Sequence, residues 1–169
     1  MKITTISGSQ KKTSTNTQLL KAIPNEFPTI KFNHHPINLP LFHPDKDQAP
    51  YPKEVTTFKQ ALTNADALII STPAYLHNIP ANLKNALEWI STSGELQAKP
   101  ILAITYTPRP PRGEKAMQSL LWSLQALEAR VIGQLPIYQT EVQVEKGKLE
   151  GETEMIELIK EAVLMLLTA

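Results

Sequence analysis

Short polar side chains follow the first β-rich segment of the chain, where they could bind an anion. Residues 2–7 favour a β-strand, and residues 7–16 continue as SGSQKKTSTN. Where a strand leads into a helix, the helix N-terminus presents free N–H groups and positive potential to the loop. Neutral hydroxyl and amide donors there suit a terminal phosphomonoester, and the candidates are Ser9, Thr13, Ser14, Thr15 and Asn16. The simpler alternative is that one hydroxyl caps the helix and the others form a polar turn.

Several other nucleotide and catalytic motifs are missing from the sequence. The loop has one glycine, Gly8, so it matches neither G-x-G-x-x-G nor G-x-x-x-x-G-K-[ST]. No G-x-S-x-G element is present, which argues against a serine hydrolase. The chain has no cysteine, so it offers no thiol nucleophile and any redox chemistry needs a bound cofactor.

Two further loops hold residues suited to a ligand. After the apolar run at residues 67–71, Pro73, Tyr75 and Leu76 would form a rigid apolar wall for a planar aromatic molecule, although Tyr75 could equally be a packed loop aromatic. A proline-rich loop at residues 106–114 contains Arg109 and Arg112. We hypothesise that these guanidinium groups receive the phosphates of a dinucleotide; the alternative is that both are ordinary solvated arginines.

Metal, nucleic-acid and membrane binding are not expected. Residues His34, His35, His43 and Asp45 match no standard metal spacing, and adjacent histidines do not easily aim at one ion. The 17 basic and 16 acidic residues leave a net charge of +1, too little for a cationic nucleic-acid surface. No apolar run approaches the ~18 residues of a membrane span, and no secretory signal core is evident. We therefore expect a protein of the reducing cytoplasm.

Alternating strands and helices would position these loops. Strands are predicted at residues 2–7, 29–33, 67–71, 101–104 and 130–137, and helices at 16–22, 55–65, 83–90, 117–124 and 156–166, with a turn at 146–148. Continuous apolar strands joined by helices indicate a parallel sheet covered on both faces. The expectation is one domain over residues 1–169, an α/β three-layer doubly wound sheet of five strands, with ligands bound at the strands' carboxyl ends.

Two motifs in register resemble the NAD(P)H-dependent FMN reductase family. The family pattern G-S-x-R-x-x-S-x-N corresponds to residues 8–16, and T-P-E-Y-N-x-x-I-P-x-x-L-K-N-A-I-D-W corresponds to residues 72–89. Three departures stand out. Gln10 replaces the arginine, Ala74 and Leu76 replace glutamate and asparagine, and residues 106–114 replace a glycine-rich segment.

The resemblance implies a flavodoxin-like fold with strand order 2-1-3-4-5 and FMN as cofactor. Ser9, Ser14 and Asn16 fall on the family's phosphate-binding positions, while Pro73 and Tyr75 fall on its flavin-ring positions. The full set of cofactor-binding residues predicted by the resemblance is Ser9, Gln10, Ser14, Thr15, Asn16, Pro73, Ala74, Tyr75, Leu76 and Thr107.

The activity implied by the resemblance is hydride transfer from NAD(P)H to bound FMN and then to a small acceptor such as flavin or quinone. The flavin would supply the chemistry, so no side chain is assigned a catalytic role. The resemblance also implies a homodimer, with further pairing into tetramers left open, and Trp89 could be either a core residue or a dimer contact. The alternatives are an electron carrier of the flavodoxin type, which the charge of +1 disfavours, and a flavin-free interaction protein.

Overall fold

Five parallel strands form the central sheet of the computed structural model, which describes residues 1–169. They are β1 (Lys2–Ser7), β2 (Lys31–His35), β3 (Ala67–Thr72), β4 (Pro100–Thr107) and β5 (Arg130–Tyr138). Their order is β2-β1-β3-β4-β5, and every neighbouring pair is parallel. The predicted α/β fold and strand order are therefore confirmed, and all strand carboxyl ends meet at one edge of the sheet.

Five helices cover the two faces of this sheet. They are α1 (Thr15–Ala22), α2 (Lys53–Thr63), α3 (Ala81–Glu88), α4 (Glu114–Ala126) and α5 (Thr153–Leu167). Each buries an apolar stripe; in α2 the stripe is Val55, Phe58 and Leu62. Helices α1 and α5 pack on one face, and α2, α3 and α4 pack on the other. None of the helices is long and apolar enough to cross a membrane.

The central strands explain why the predicted apolar runs were continuous. In β3, Leu68 and Ile70 point into the core under α2, α3 and α4, while Ala67 and Ile69 point into the core under α1 and α5. Because successive strand side chains point to opposite faces, a strand between two cores must be apolar at every position. Because both faces of β3 are buried, the position of its carboxyl end is fixed. One of the predicted ligand loops begins there.

Residues 36–52 form a long loop that packs on α3. The backbone N–H of Phe42 donates to Asn85 Oδ1 at 2.7 Å, and the indole N–H of Trp89 donates to the Pro40 carbonyl at 2.7 Å. The Phe42 and Trp89 rings meet edge to face, with centroids 5.3 Å apart. Trp89 is fully buried beneath this loop, so it is a core residue.

A small antiparallel hairpin follows β5, where the sequence had predicted only a turn. Its strands are β6 (Val142–Glu145) and β7 (Lys148–Gly151). The turn between them places Lys146 and Gly147 at φ 48° and 80°, which suits a tight hairpin. Val142 and Leu149 are buried in the core under α1 and α5, so the hairpin extends that core.

Candidate functional site

The loop after β1 is held against the end of β3 and the start of α3. The Gly8 N–H donates to the Ser71 carbonyl at 2.8 Å, and Asn82 Nδ2 donates to the Gly8 carbonyl at 3.0 Å. A Cβ at Gly8 would lie 2.7 Å from Thr72 Oγ1 and 3.1 Å from a Leu83 methyl group. Only glycine allows this close approach without displacing either the backbone or these side chains.

Hydrogen bonds among hydroxyl groups shape the same loop. Thr17 Oγ1 donates to Ser7 Oγ at 2.9 Å, and Ser7 Oγ also accepts from the Ser9 N–H at 3.3 Å. Ser14 Oγ accepts from the Thr17 N–H at 3.2 Å and so caps α1. The capping alternative therefore holds for Ser14, while the N–H groups of Thr15 and Asn16 have no partner within the chain. These free donors at the helix N-terminus favour an anion.

The side chain of Asn16, in the first turn of α1, bonds to the ends of two strands, β3 and β4. Its Nδ2 donates to the Tyr106 carbonyl at 3.0 Å, and its Oδ1 accepts from the Ser71 hydroxyl at 2.7 Å. Asn16 is 2% exposed, so both bonds are made away from bulk water. Its side chain thus aligns the loop after β1 with β3 and β4, and its backbone N–H is the group it leaves for a ligand.

A narrow cavity of about 220 Å³ lies above the α1 N-terminus, and seven of the ten predicted site residues line it. These are Ser9, Ser14, Thr15, Asn16, Pro73, Ala74 and Tyr75. The remaining lining residues are Lys11, Thr13, Tyr106, Pro108, Arg112 and Gln139. No carboxylate is among them, so nothing in the wall repels an anion.

A wide cavity of about 460 Å³ adjoins the narrow one. Its lining residues are Ala74, Leu76, His77, Arg109, Pro110, Pro111 and Arg112. Ala74 and Arg112 line both cavities, so the two cavities lie side by side. The pair suits a ligand with a small anionic end and a flat, largely apolar body.

A tight turn projects from the loop after β3 along the wide cavity. The backbone groups of Tyr75 and Asn78 exchange two hydrogen bonds of 2.9 Å, so Leu76 and His77 are the central residues. Their φ angles are 50° and 62°, a conformation that costs non-glycine residues about 1–3 kcal/mol each. Leu76 is 98% exposed and Tyr75 is 51% exposed, so the turn offers apolar surface beside the cavity.

The loop after β4 is anchored from below by Thr107. Its Oγ1 donates to the Arg112 carbonyl at 2.6 Å, and the Arg112 N–H donates to the Arg109 carbonyl at 3.1 Å. Thr107 is buried and lines neither cavity, so it acts on the site through the loop above it. Gly113 then enters α4 at φ 111°, above the side chains of Thr107 and Thr105.

Gln10 lies on the other side of the loop after β1. Its Nε2 donates to the Ile37 carbonyl at 3.4 Å, and its side chain lines a third cavity of about 520 Å³. That cavity is also lined by His34 and His35, whose pKa values are lowered chiefly by burial. Gln10 thus faces a different cavity from the seven predicted residues of the narrow cavity, of which only Ser9 lines both.

Sequence reasoning missed Gln139, which follows β5. Its Nε2 donates to Thr15 Oγ1 at 3.1 Å, and its backbone N–H donates to the Thr107 carbonyl at 2.9 Å. Its position in the sequence was the available signal, because parallel strands bring all their carboxyl ends to one edge. A polar residue after β5 can therefore reach the same site as the loops after β1, β3 and β4.

Buried Tyr106 joins the site to the hairpin. Its hydroxyl donates to the Val142 carbonyl at 2.8 Å, and burial raises the pKa of this phenol to about 12. The group is therefore a fixed neutral donor, and it holds β6 against the end of β4.

The histidines considered as metal ligands do not converge. His34 Nδ1 lies 3.1 Å from Thr5 Oγ1, whereas His43 Nδ1 lies 3.5 Å from the Asp45 carboxylate on a distant loop. No group of three or more histidine or carboxylate side chains is placed to hold a metal ion.

Comparisons with known proteins agree with this geometry. The family model described as NADPH-dependent FMN reductase matches residues 1–141. The NADH:(hydroxy)cinnamate reductase subunit CrdA of Vibrio ruber is 41% identical over 102 residues, which are 59% of this chain and 50% of that protein. A quinone reductase of Escherichia coli K12 is 29% identical over 138 residues, 78% of this chain and 73% of its own.

Two of the curated relatives are matched over only half of their length. Besides CrdA, the 2-hydroxy-1,4-benzoquinone reductase of a Burkholderia species is 39% identical over 93 residues, 54% of this chain and 50% of that protein. Among solved structures, the flavoenzyme NAD(P)H:(acceptor) oxidoreductase FerB of Paracoccus denitrificans has a TM-score of 0.77 at 22% identity. The match covers 98% of this chain and 94% of FerB, and it shows the shared fold.

Proposed function

Because the chain belongs to the NADPH-dependent FMN reductase family, we propose that it is an FMN-dependent oxidoreductase that uses NAD(P)H to reduce a small acceptor. The acceptor would be a quinone or a flavin. The names of the relatives from Escherichia coli and Burkholderia support a quinone.

The observation behind this proposal is that the narrow and wide cavities adjoin at Ala74 and Arg112, which line both. FMN has a phosphate at one end and a planar ring system at the other, and each part has a matching cavity. The free N–H groups of Thr15 and Asn16 and the absence of any carboxylate suit the phosphate. The donor set of this chain therefore fits the cofactor that the family uses.

Residues of both cavities would share the binding. The hydroxyl groups of Ser9 and Thr15 and the N-terminus of α1 would hold the phosphate, with Ser14 fixing the helix cap. Pro73, Ala74 and Tyr75 would position the ring, and exposed Leu76 would exclude water beside it. Bound FMN supplies the hydride chemistry, so the protein contributes placement and electrostatics, and no catalytic side chain is assigned.

We also propose a homodimer in the cytoplasm. Trp122 on α4, and Tyr75 and Leu76 in the loop after β3, are exposed and provide apolar surface of the kind that subunit interfaces bury. The absence of cysteine from the sequence suits a reducing compartment, where NAD(P)H is available as electron donor.

An anaerobic titration tests the activity. The purified protein is mixed with FMN, its flavin absorption spectrum is recorded, and NADPH or NADH is added before a quinone. We expect rapid bleaching of the oxidised flavin bands and recovery of colour on quinone addition. Bound FMN that is not bleached by either dinucleotide would indicate an electron carrier instead. Failure to bind FMN at millimolar concentration would indicate a flavin-free protein and overturn the proposal.

A further inference from the structure

We propose that Arg112 supplies the positive charge that binds the phosphate of FMN, a role that the family motif would assign to residue 10. The inference rests on the proposed function, because it names one residue of the same site. Position 10 is glutamine in this chain, and its side chain lines a different cavity. The positive charge at the narrow cavity must therefore come from a residue other than residue 10.

Two basic side chains line the narrow cavity, Lys11 and Arg112. Neither forms an ion pair with a carboxylate of this chain, so both charges are available to a ligand. A guanidinium group presents paired N–H donors that match two phosphate oxygens, whereas an ammonium group acts as a point charge. Chemistry alone therefore favours Arg112 for a phosphate.

Hydrogen bonds also hold the backbone of Arg112 in place. Its carbonyl accepts from Thr107 Oγ1 at 2.6 Å, its N–H donates to the Arg109 carbonyl at 3.1 Å, and Gly113 follows at once as the cap of α4. A residue that is already positioned loses less conformational freedom when it binds a ligand. Lys11 also has two backbone hydrogen bonds, but the bond from its N–H to Ser9 Oγ is long, at 3.4 Å, and no cap follows the residue directly.

The two arginines of the loop after β4 are placed differently. Arg112 lines both cavities, whereas Arg109 lines only the wide one. Arg112 thus lies where the phosphate end and the ring end of FMN would meet. Arg109 remains the candidate for binding the phosphates of the dinucleotide. The sequence hypothesis assigned both arginines to the dinucleotide, whereas this proposal assigns Arg112 to FMN.

Comparison of FMN with riboflavin tests this role, because the two molecules differ only in the phosphate. Dissociation constants are measured by quenching of flavin fluorescence for the wild type, Arg112→Gln, Lys11→Gln and Arg109→Gln. Loss of one charge-assisted phosphate contact weakens binding about tenfold to a hundredfold. We expect Arg112→Gln to lower FMN affinity by that factor and to change riboflavin affinity less than twofold. Arg109→Gln should leave the ratio of the two affinities unchanged.

Added salt and variant stability complete the experiment. The wild-type preference for FMN should shrink as salt screens the charges, and the Arg112→Gln preference should depend less on salt. Urea unfolding checks that the exposed substitution leaves the fold intact. The assignment is overturned if Arg112→Gln weakens both flavins equally or neither, or if Lys11→Gln alone removes the preference. If the wild type binds neither flavin, the proposed function itself fails.

Discussion

Ser14 combines a structural contact with a place in the proposed phosphate site, and two substitutions separate these roles. Ser14→Ala removes the cap of α1 and should lower the free energy of unfolding by about 1 kcal/mol. Ser14→Asp keeps a capping oxygen but brings a negative charge to the phosphate. We expect Ser14→Asp to retain near wild-type stability in urea and to lose more than tenfold in FMN affinity. Equal FMN binding by Ser14→Asp would place the phosphate elsewhere.

Gly8 allows a contact that no other residue type permits. Because a Cβ there would lie 2.7 Å from Thr72 Oγ1, Gly8→Ala must displace either the loop after β1 or the Thr72 side chain. We expect a loss of about 1–3 kcal/mol in unfolding free energy and at least tenfold weaker FMN binding. Gly147→Ala is the matched control, since it strains a positive φ of 80° in the distant β6–β7 turn. It should lower stability in urea without changing FMN affinity.

At the level of single residues, residue type predicted location better than it predicted role. The hydroxyl-rich loop lies beside Pro73 and Tyr75, since the strand order brings those two loops together. The hydrogen bonds of the Asn16 side chain were not predictable from the sequence, because their partners Ser71 and Tyr106 lie 55 and 90 residues away. The side to which Gln10 points depends on the loop's path against Ile37, which no local pattern encodes.

At the level of elements, Tyr106 links β4 to the hairpin, and ionisation of its phenol should lower the free energy of unfolding at alkaline pH. Its pKa is raised by burial from 10.0 to about 12, so the folded state holds the phenol proton more tightly than the unfolded state. This contribution is complete below pH 10 and is lost as the pH rises towards 12. Tyr106→Phe should lower the free energy of unfolding at neutral pH by about 1 kcal/mol. Above pH 10, the variant should lose less additional stability than the wild type. Urea unfolding of both proteins from pH 8 upward measures the difference.

The edge strand β2 should respond to acid. Burial, with nearby Lys21 and His35, lowers the pKa of His34 below 6.5, so the folded state disfavours its protonation. Stability is therefore complete above pH 6.5 and declines as the pH falls below it. We expect His34→Gln to show a smaller loss between pH 7 and pH 5 in urea unfolding. An unchanged slope would mean that His34 is not responsible.

Apolar patterns predicted β3, β4 and helices α2 to α5, because buried faces demand such patterns. The edge strand β2, none of whose residues is fully buried, was predicted from the β-prone residues that follow Pro28. Boundaries shifted where turns compete with strands: β2 begins at Lys31 rather than residue 29, since the Ile30 N–H bonds to the Phe27 carbonyl in a turn. The hairpin of β6 and β7 was missed. Its strands have four residues each, too few for periodicity to register, and its stability comes from Val142 and Leu149 in the core.

At the level of the whole molecule, Trp122 is the residue with which to test the proposed dimer. Trp122 is 63% exposed on the same face of the sheet as α3, and aromatic residues often dominate the energetics of interfaces. We expect Trp122→Glu to convert a dimer into a monomer in analytical ultracentrifugation. Leu164→Glu, on α5 at the opposite face, is the control that should leave the dimer intact. Wild-type protein that sediments as a monomer would refute the dimer.

The turn at Leu76 and His77 bears on how the protein could evolve. Its shape is held by two backbone hydrogen bonds between Tyr75 and Asn78, and both central side chains project outward. Mutation at these two positions therefore leaves the buried layers untouched while changing the rim of the wide cavity. Selection can then adapt the range of accepted molecules one codon at a time, among the residue types that tolerate a positive φ.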